Sequence, residues 1–183
     1  MEFYTRKPNT VGGGSKTNKN GLSFEGRTSL IDSLNQHPDI FIKDKVNIIY
    51  KEKNIGYYSE KHQFYSKFVE PQLRPKSIDW RNLISKKYLP DSVIVNKQNQ
   101  TVYVVEKKYQ ASSGSVDEKL QTCDFKKKIY NKLIQPTGFN TEYYYLLNDW
   151  YDQDQYNDVK QYIESVGCRY FINEIPLEEF GIS

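Results

Sequence analysis

Apolar residues recur along this chain in two rhythms. In "LSFEGRTSLIDSLNQ", Phe24, Ile31 and Leu34 fall at helical spacing, with Ser23 placed to cap, which predicts a helix over 23–35. "DKVNIIYKEK" predicts a strand over 44–53. Residues 54–88 are ambiguous: "YYSEKHQFYSKF" fits helix or strand, Pro71 and Pro75 interrupt the next stretch, and "SIDWRNLISKKY" reads as a short helix from near Ser77. The clearest signal comes next. "DSVIV" and "TVYVVEKK" are two apolar strands around "NKQNQ", and predict a hairpin of 91–95 with 101–108. "ASSGS" reads as a loop and "SVDEKLQTCDFKKKIYNKLI" as one long helix over 115–134, capped by Ser115 with Glu118 three residues on. An aromatic strand (141–149), a helix stopped by Gly167 and a last strand ("CRYFINEI") complete the chain. Helices between strands predict an α/β fold, a central mixed sheet flanked by helices.

Length changes this picture little. At 183 residues, one domain is expected over 22–183. The glycines and small polar residues of 1–21 ("GGGSKTNKNG") build no core; they form either a flexible tail or an arm that orders on DNA. No apolar run approaches a membrane span, and "MEFYTRKPNT" has no signal core, so an intracellular, cytoplasmic protein is expected. Cys123 and Cys168 lie far apart in the sequence and in no metal spacing, and read as buried or idle thiols. A net charge of +3 neither requires nor excludes a polyanionic partner. The clustering of Lys in "KTNKN", "EKKY" and "DFKKKIYNK" suits one, but suits a solvated surface equally.

The hairpin carries the candidate chemistry. A turn centred between Gln98 and Asn99 opposes Val95 to Val102, Val93 to Val104 and Asp91 to Glu106. Alternation then puts Asp91, Glu106 and Lys108 on one face. Like charges directly opposite destabilise a sheet. A divalent cation would offset that repulsion, because Mg²⁺ takes one or two carboxylates and completes its shell with water or phosphate oxygens. Lys108 could offset it as well, and charged ends of a solvated edge remain an alternative reading. His37 and His62 sit in no ligand spacing, and no phosphate-cradling loop is present, so zinc chemistry and an ATP-driven activity are not expected.

Pro90-Asp91, an apolar strand, a turn, then Glu106-Lys107-Lys108 resembles the PD-(D/E)XK nuclease superfamily. The helix, three strands, helix, strand order over about 22–148 resembles its restriction-endonuclease-like core, and "EKKYQASSGSVDEKLQT" is similar to the segment after the catalytic lysine in restriction endonucleases. The resemblance implies a metal-dependent nuclease, most like a small type II restriction endonuclease acting on double-stranded DNA as a homodimer. Asp91, Glu106 and Lys108 would be catalytic. Asp91, Glu106 and the Lys107 carbonyl would hold Mg²⁺, or Mn²⁺ in its place. Glu25 would complete the shell through water, or is simply a glutamate favoured at a helix N-terminus. Lys108 beside carboxylates suits orienting water and stabilising charge better than acting as a base. Gln110, Ser113, Lys126, Lys127, Lys16 and Lys19 are candidate DNA contacts. A structure-directed nuclease and a catalytically inert DNA-binding subunit are the alternatives on the same fold.

Overall fold

The computed structural model describes Phe24, residues 29–111 and residues 116–182. Seven strands form one mixed sheet whose spatial order follows the chain, β1 to β7. They are β1 (Ile40–Lys43), β2 (Asn47–Tyr50), β3 (Lys53–Ser59), β4 (Ser92–Asn96), β5 (Thr101–Lys108), β6 (Asn140–Leu147) and β7 (Arg169–Ile172). The first five pair antiparallel, while β5–β6 and β6–β7 are parallel. This is the α/β mixed-sheet architecture the sequence predicts.

Several elements differ from the sequence reading, each for a local reason. The described helix α1 is Leu30–Gln36; Ser29, extended at φ −66° and ψ 113°, caps it by accepting from the Asp32 N–H. That cap separates α1 from anything upstream, so 23–35 is not one helix. The single strand expected over 44–53 is instead a turn, β2 and the start of β3. The turn residues Asp44, Lys45, Lys51 and Glu52 all have positive φ. Such turns normally advertise themselves with Asn or Gly, and here neither is present. After β3 the chain is helical: α2 (Lys61–Phe64), a wide π-turn over Tyr65–Val69 and α3 (Glu70–Leu73). Around Ser77 there are two short 3-10 turns, Arg74–Lys76 and Trp80–Asn82, rather than a helix from Ser77, because Ser77 is left-handed and Asp79 extended.

The long helix expected over 115–134 breaks into α4 (Val116–Leu120) and α5 (Cys123–Ile134). Thr122 turns its hydroxyl back onto the Lys119 carbonyl at 2.7 Å, the side-chain competition that interrupts helices. Ser115 lies outside the described residues. Helix α6 (Asn157–Ser165) ends ahead of Gly167 at φ 73°. No described helix is long and apolar enough to cross a membrane.

Both faces of the central strands are covered, and all five β4 residues are buried. Val93, Val95, Val102, Val104, Tyr143, Tyr145 and Leu147 face α2, α3, α5 and α6. Ile94, Tyr103, Val105, Tyr144 and Leu146 face α1 and the C-terminal residues Phe180 and Ile182. Period-two alternation therefore feeds two cores, which is why these strands read as nearly continuous apolar runs. Cys123 and Cys168 are free, buried and in the same core. The neighbouring Cys123 thiol, followed by burial, pushes the Cys168 thiol above the ordinary range.

Candidate active site

The β4–β5 register is the one the alternation implies: Val95 opposes Val102 and Val93 opposes Val104. The last paired step is Ser92 with Val105, so Asp91 stands just outside β4, level with Glu106. Its position has a local cause. The Pro90 carbonyl accepts from the Lys61 N–H at 2.9 Å, so the chain has already turned from β5 toward α2. The Asp91 carboxylate takes over as acceptor, with Oδ2 at 2.8 Å from the Lys107 N–H. One carboxylate is thereby fixed against the backbone of the strand that carries the other.

Glu106 is 8% exposed at the end of β5, on the face that α5 covers. Two amines meet its Oε1: Lys108 Nζ from the same strand and Lys126 Nζ from α5, each at 2.7 Å. Burial pushes the carboxyl pKa up, but the two ammonium charges and their hydrogen bonds outweigh it and hold Glu106 below the usual glutamate value. Glu106 is therefore an anion at neutral pH despite its burial. Its Oε2 accepts no hydrogen bond from any described residue.

The floor is aromatic. Tyr130, one turn beyond Lys126 on α5, packs its ring 6.2 Å from that of Tyr143 on β6. Burial first, then the Glu106 charge, pushes both phenols far up, so they stay neutral. The strand end is pinned from β6. The Asn148 side chain accepts from the Gln110 N–H and donates to the Gln110 carbonyl, both at 2.9 Å.

The structure thus brings Asp91, Glu106, Lys108 and Lys126 together, with Lys107 between them. It does not bring Lys127, which donates to the Gly167 carbonyl and pairs with Glu142 at 3.6 Å. Strand β5 ends at Lys108, so Gln110 does not extend the alternation; it is buried at 4% exposure, with its main chain held by Asn148. Glu25, Ser113, Lys16 and Lys19 lie outside the described residues. Sequence reasoning missed Asn148, Tyr130 and Tyr143. The Lys126 to Tyr130 spacing of one helical turn was the available signal for Tyr130; nothing local marked Asn148.

Asn148→Ala is expected to lower the melting temperature by the equivalent of about 1–3 kcal/mol, since a buried main-chain donor and acceptor lose their partners. It should also slow any catalysis that depends on where Lys108 sits. An unchanged melting temperature would show that Asn148 does not hold the end of β5.

Could these residues hold a divalent cation? No group of three or more His, Cys, Asp or Glu side chains gathers among the described residues. Two carboxylates are nonetheless level at one strand end, and one Glu106 oxygen is not taken by the lysines. Hard oxygen donors of this kind fit Mg²⁺, which binds through one or two carboxylates and keeps its waters. The donor set fits that ion and not zinc.

The mixed sheet puts two carboxylates and a lysine at the open end of one hairpin. Residues 39–174 match the model of the PD-(D/E)XK nuclease superfamily domain, and the chain belongs to that superfamily. No curated protein and no solved structure gave a significant match.

Proposed function

We propose that the chain is a Mg²⁺-dependent endonuclease that hydrolyses DNA phosphodiester bonds, in the form of a type II restriction endonuclease cutting a short duplex sequence. The observation that carries this reading is the convergence on Glu106 of Lys108 and Lys126 at 2.7 Å, beside an Asp91 held at 2.8 Å by the Lys107 N–H. Asp91, Glu106 and the Lys107 carbonyl would hold the metal, which would supply an acidified water and neutralise phosphate charge. Lys108 orients the attacking water and stabilises the charge that develops on the phosphate. Lys126 keeps Glu106 ionised and adds a second cation facing the phosphate. Residues 22–183 form the nuclease domain. With one site per chain, cutting both strands calls for a two-fold homodimer, which matches palindromic DNA.

The test is incubation of the purified chain with several long sequenced DNAs, with Mg²⁺ or with EDTA. Discrete Mg²⁺-dependent fragments are expected. A smear would replace sequence specificity with nonspecific cleavage. Cutting confined to four-way junctions would make it a structure-directed nuclease. Retention of DNA with no cutting of any substrate would leave an inert binding subunit and overturn the reading.

A further inference from the structure

Beside the site lies a ridge that the hydrolytic chemistry does not use. Among the described residues only Phe41, Leu89, Phe125 and Tyr162 are large hydrophobics standing exposed, and two of these stand within two residues of site residues in sequence. Phe125, 53% exposed, immediately precedes Lys126 on α5; Leu89, 39% exposed, stands two residues before Asp91. The half-buried Tyr88 joins them, with its ring 6.0 Å from that of Phe125 and nearly perpendicular to it. The backbone on both sides of the Tyr88 ring is fixed, since the Tyr65 hydroxyl bonds the Tyr88 N–H and carbonyl, each at 3.0 Å. Tyr88 is thus a fixed wall, and Phe125 is an open face on a rigid helix.

The charge around the ridge is basic. The Lys86 ammonium lies 5.2 Å over the Tyr88 ring. Lys87 lies 4.9 Å over Tyr65, with Glu70 3.7 Å away. Lys126 is next in sequence to Phe125. The carboxylate nearest to Phe125 in sequence, Asp124, is paired with Lys128 at 2.7 Å. An exposed aromatic face set among lysines is the composition of a single-strand binding platform, where bases stack on rings and the backbone runs along the positive charge. A purely aliphatic partner would leave the lysines unused, and a purely acidic one would leave the aromatic face unused.

We propose that Phe125, with Tyr88 and Leu89, seats an unstacked nucleobase next to the scissile phosphate, so that the DNA is locally unpaired or kinked where it is cut. This rests on the nuclease reading of the Asp91–Glu106–Lys108 site and adds to it a base-binding subsite. The reason for an unstacked base is the exposure of the ring: Phe125 follows the Tyr88 edge and presents its open face beside Lys86, where a base can stack once it has left its neighbour.

The test separates the ridge from the catalysis by measuring binding in EDTA. Fluorescence anisotropy with the full chain would compare an oligo-dT strand, a duplex and the same duplex carrying one unpaired nucleotide. Phe125→Ala is expected to weaken binding of the strand and of the unpaired duplex about tenfold, the effect typical of losing one stacked base. Phe125→Tyr should bind like the parent. Phe125→Trp should report stacking directly, through quenching of its indole fluorescence when oligo-dT is added. The inference is overturned if Phe125→Ala, folded by circular dichroism, binds all three DNAs as the parent does. It is also overturned if that substitution changes only the oligomeric state in size-exclusion chromatography, which would make the ridge a protein contact. Failure of the nuclease reading looks different: neither long sequenced duplexes nor four-way junctions are cut in Mg²⁺, whatever residue stands at 125.

Discussion

Lys108→Ala protein is expected to fold, retain DNA and cut it about 10²–10⁴ times more slowly than the parent, the range for removing a proton-handling or charge-stabilising group. The fold survives because Glu106 keeps a partner: Lys126 still reaches the same Oε1 at 2.7 Å. Lys126→Ala is expected to slow cleavage less, because Lys108 remains on the strand that carries Glu106. Removing both amines is a different experiment. It would leave a carboxylate of 8% exposure without a cation, a loss of about 3–5 kcal/mol. The double variant should therefore melt much earlier than either single one, while the singles melt near the parent. Rates from a plasmid-nicking assay and melting curves on all four proteins decide the matter. Wild-type rates from Lys108→Ala together with a dead Lys126→Ala would move the catalytic amine from β5 to α5.

Gly56→Ala is expected to be the most damaging methyl group added at any described glycine. Gly56 pairs with Ile48 on one side and Asn96 on the other, in the middle of the sheet. A Cβ there would lie 1.8 Å from the Val95 carbonyl oxygen and 2.9 Å from its carbon. Both are backbone atoms, so no side-chain rotation relieves the clash. Strands β3 and β4 must move apart, at a cost of about 3 kcal/mol or more, the upper part of the overpacking range. That is a large share of the roughly 5–15 kcal/mol that holds a domain folded. Because β4 leads directly from Asp91, activity should fall with stability, even though Gly56 touches no site residue. Denaturant midpoints and cleavage rates would be measured together. A midpoint equal to that of the parent would show that β3 and β4 are not packed in this register.

The site was legible in the sequence where its geometry is local. The hairpin needs only a short turn and alternation, so the opposition of Val93 to Val104 and of Val95 to Val102 could be written down from the residues. Asp91, Glu106 and Lys108 came with it. Lys126 was legible as a basic helix residue but not as a partner of Glu106, because the two lie 20 residues apart on different elements and meet only when α5 packs on the sheet. Asn148 was not legible at all: it comes after a strand as any loop asparagine would, and its two bonds reach back 38 residues to Gln110. The same limit hid the β1–β2–β3 meander. Asp44, Lys45, Lys51 and Glu52 take up left-handed backbone without the glycine or asparagine that announces it.

The in-line order of the strands has a kinetic consequence. Strands β1 to β5 meet through antiparallel neighbours, most of them joined by short turns, whereas β6 and β7 join in parallel only after helical crossovers close. Short closures come early in folding and long ones late. The β4–β5 hairpin, which closes over a short turn, is therefore expected to bring Asp91 and Glu106 level before α5 delivers Lys126 and β6 delivers Asn148. In that order the two negative charges would face each other with Lys108 as the only one of the two lysines in place, so the chemical centre would be started by a local element and finished by long closures.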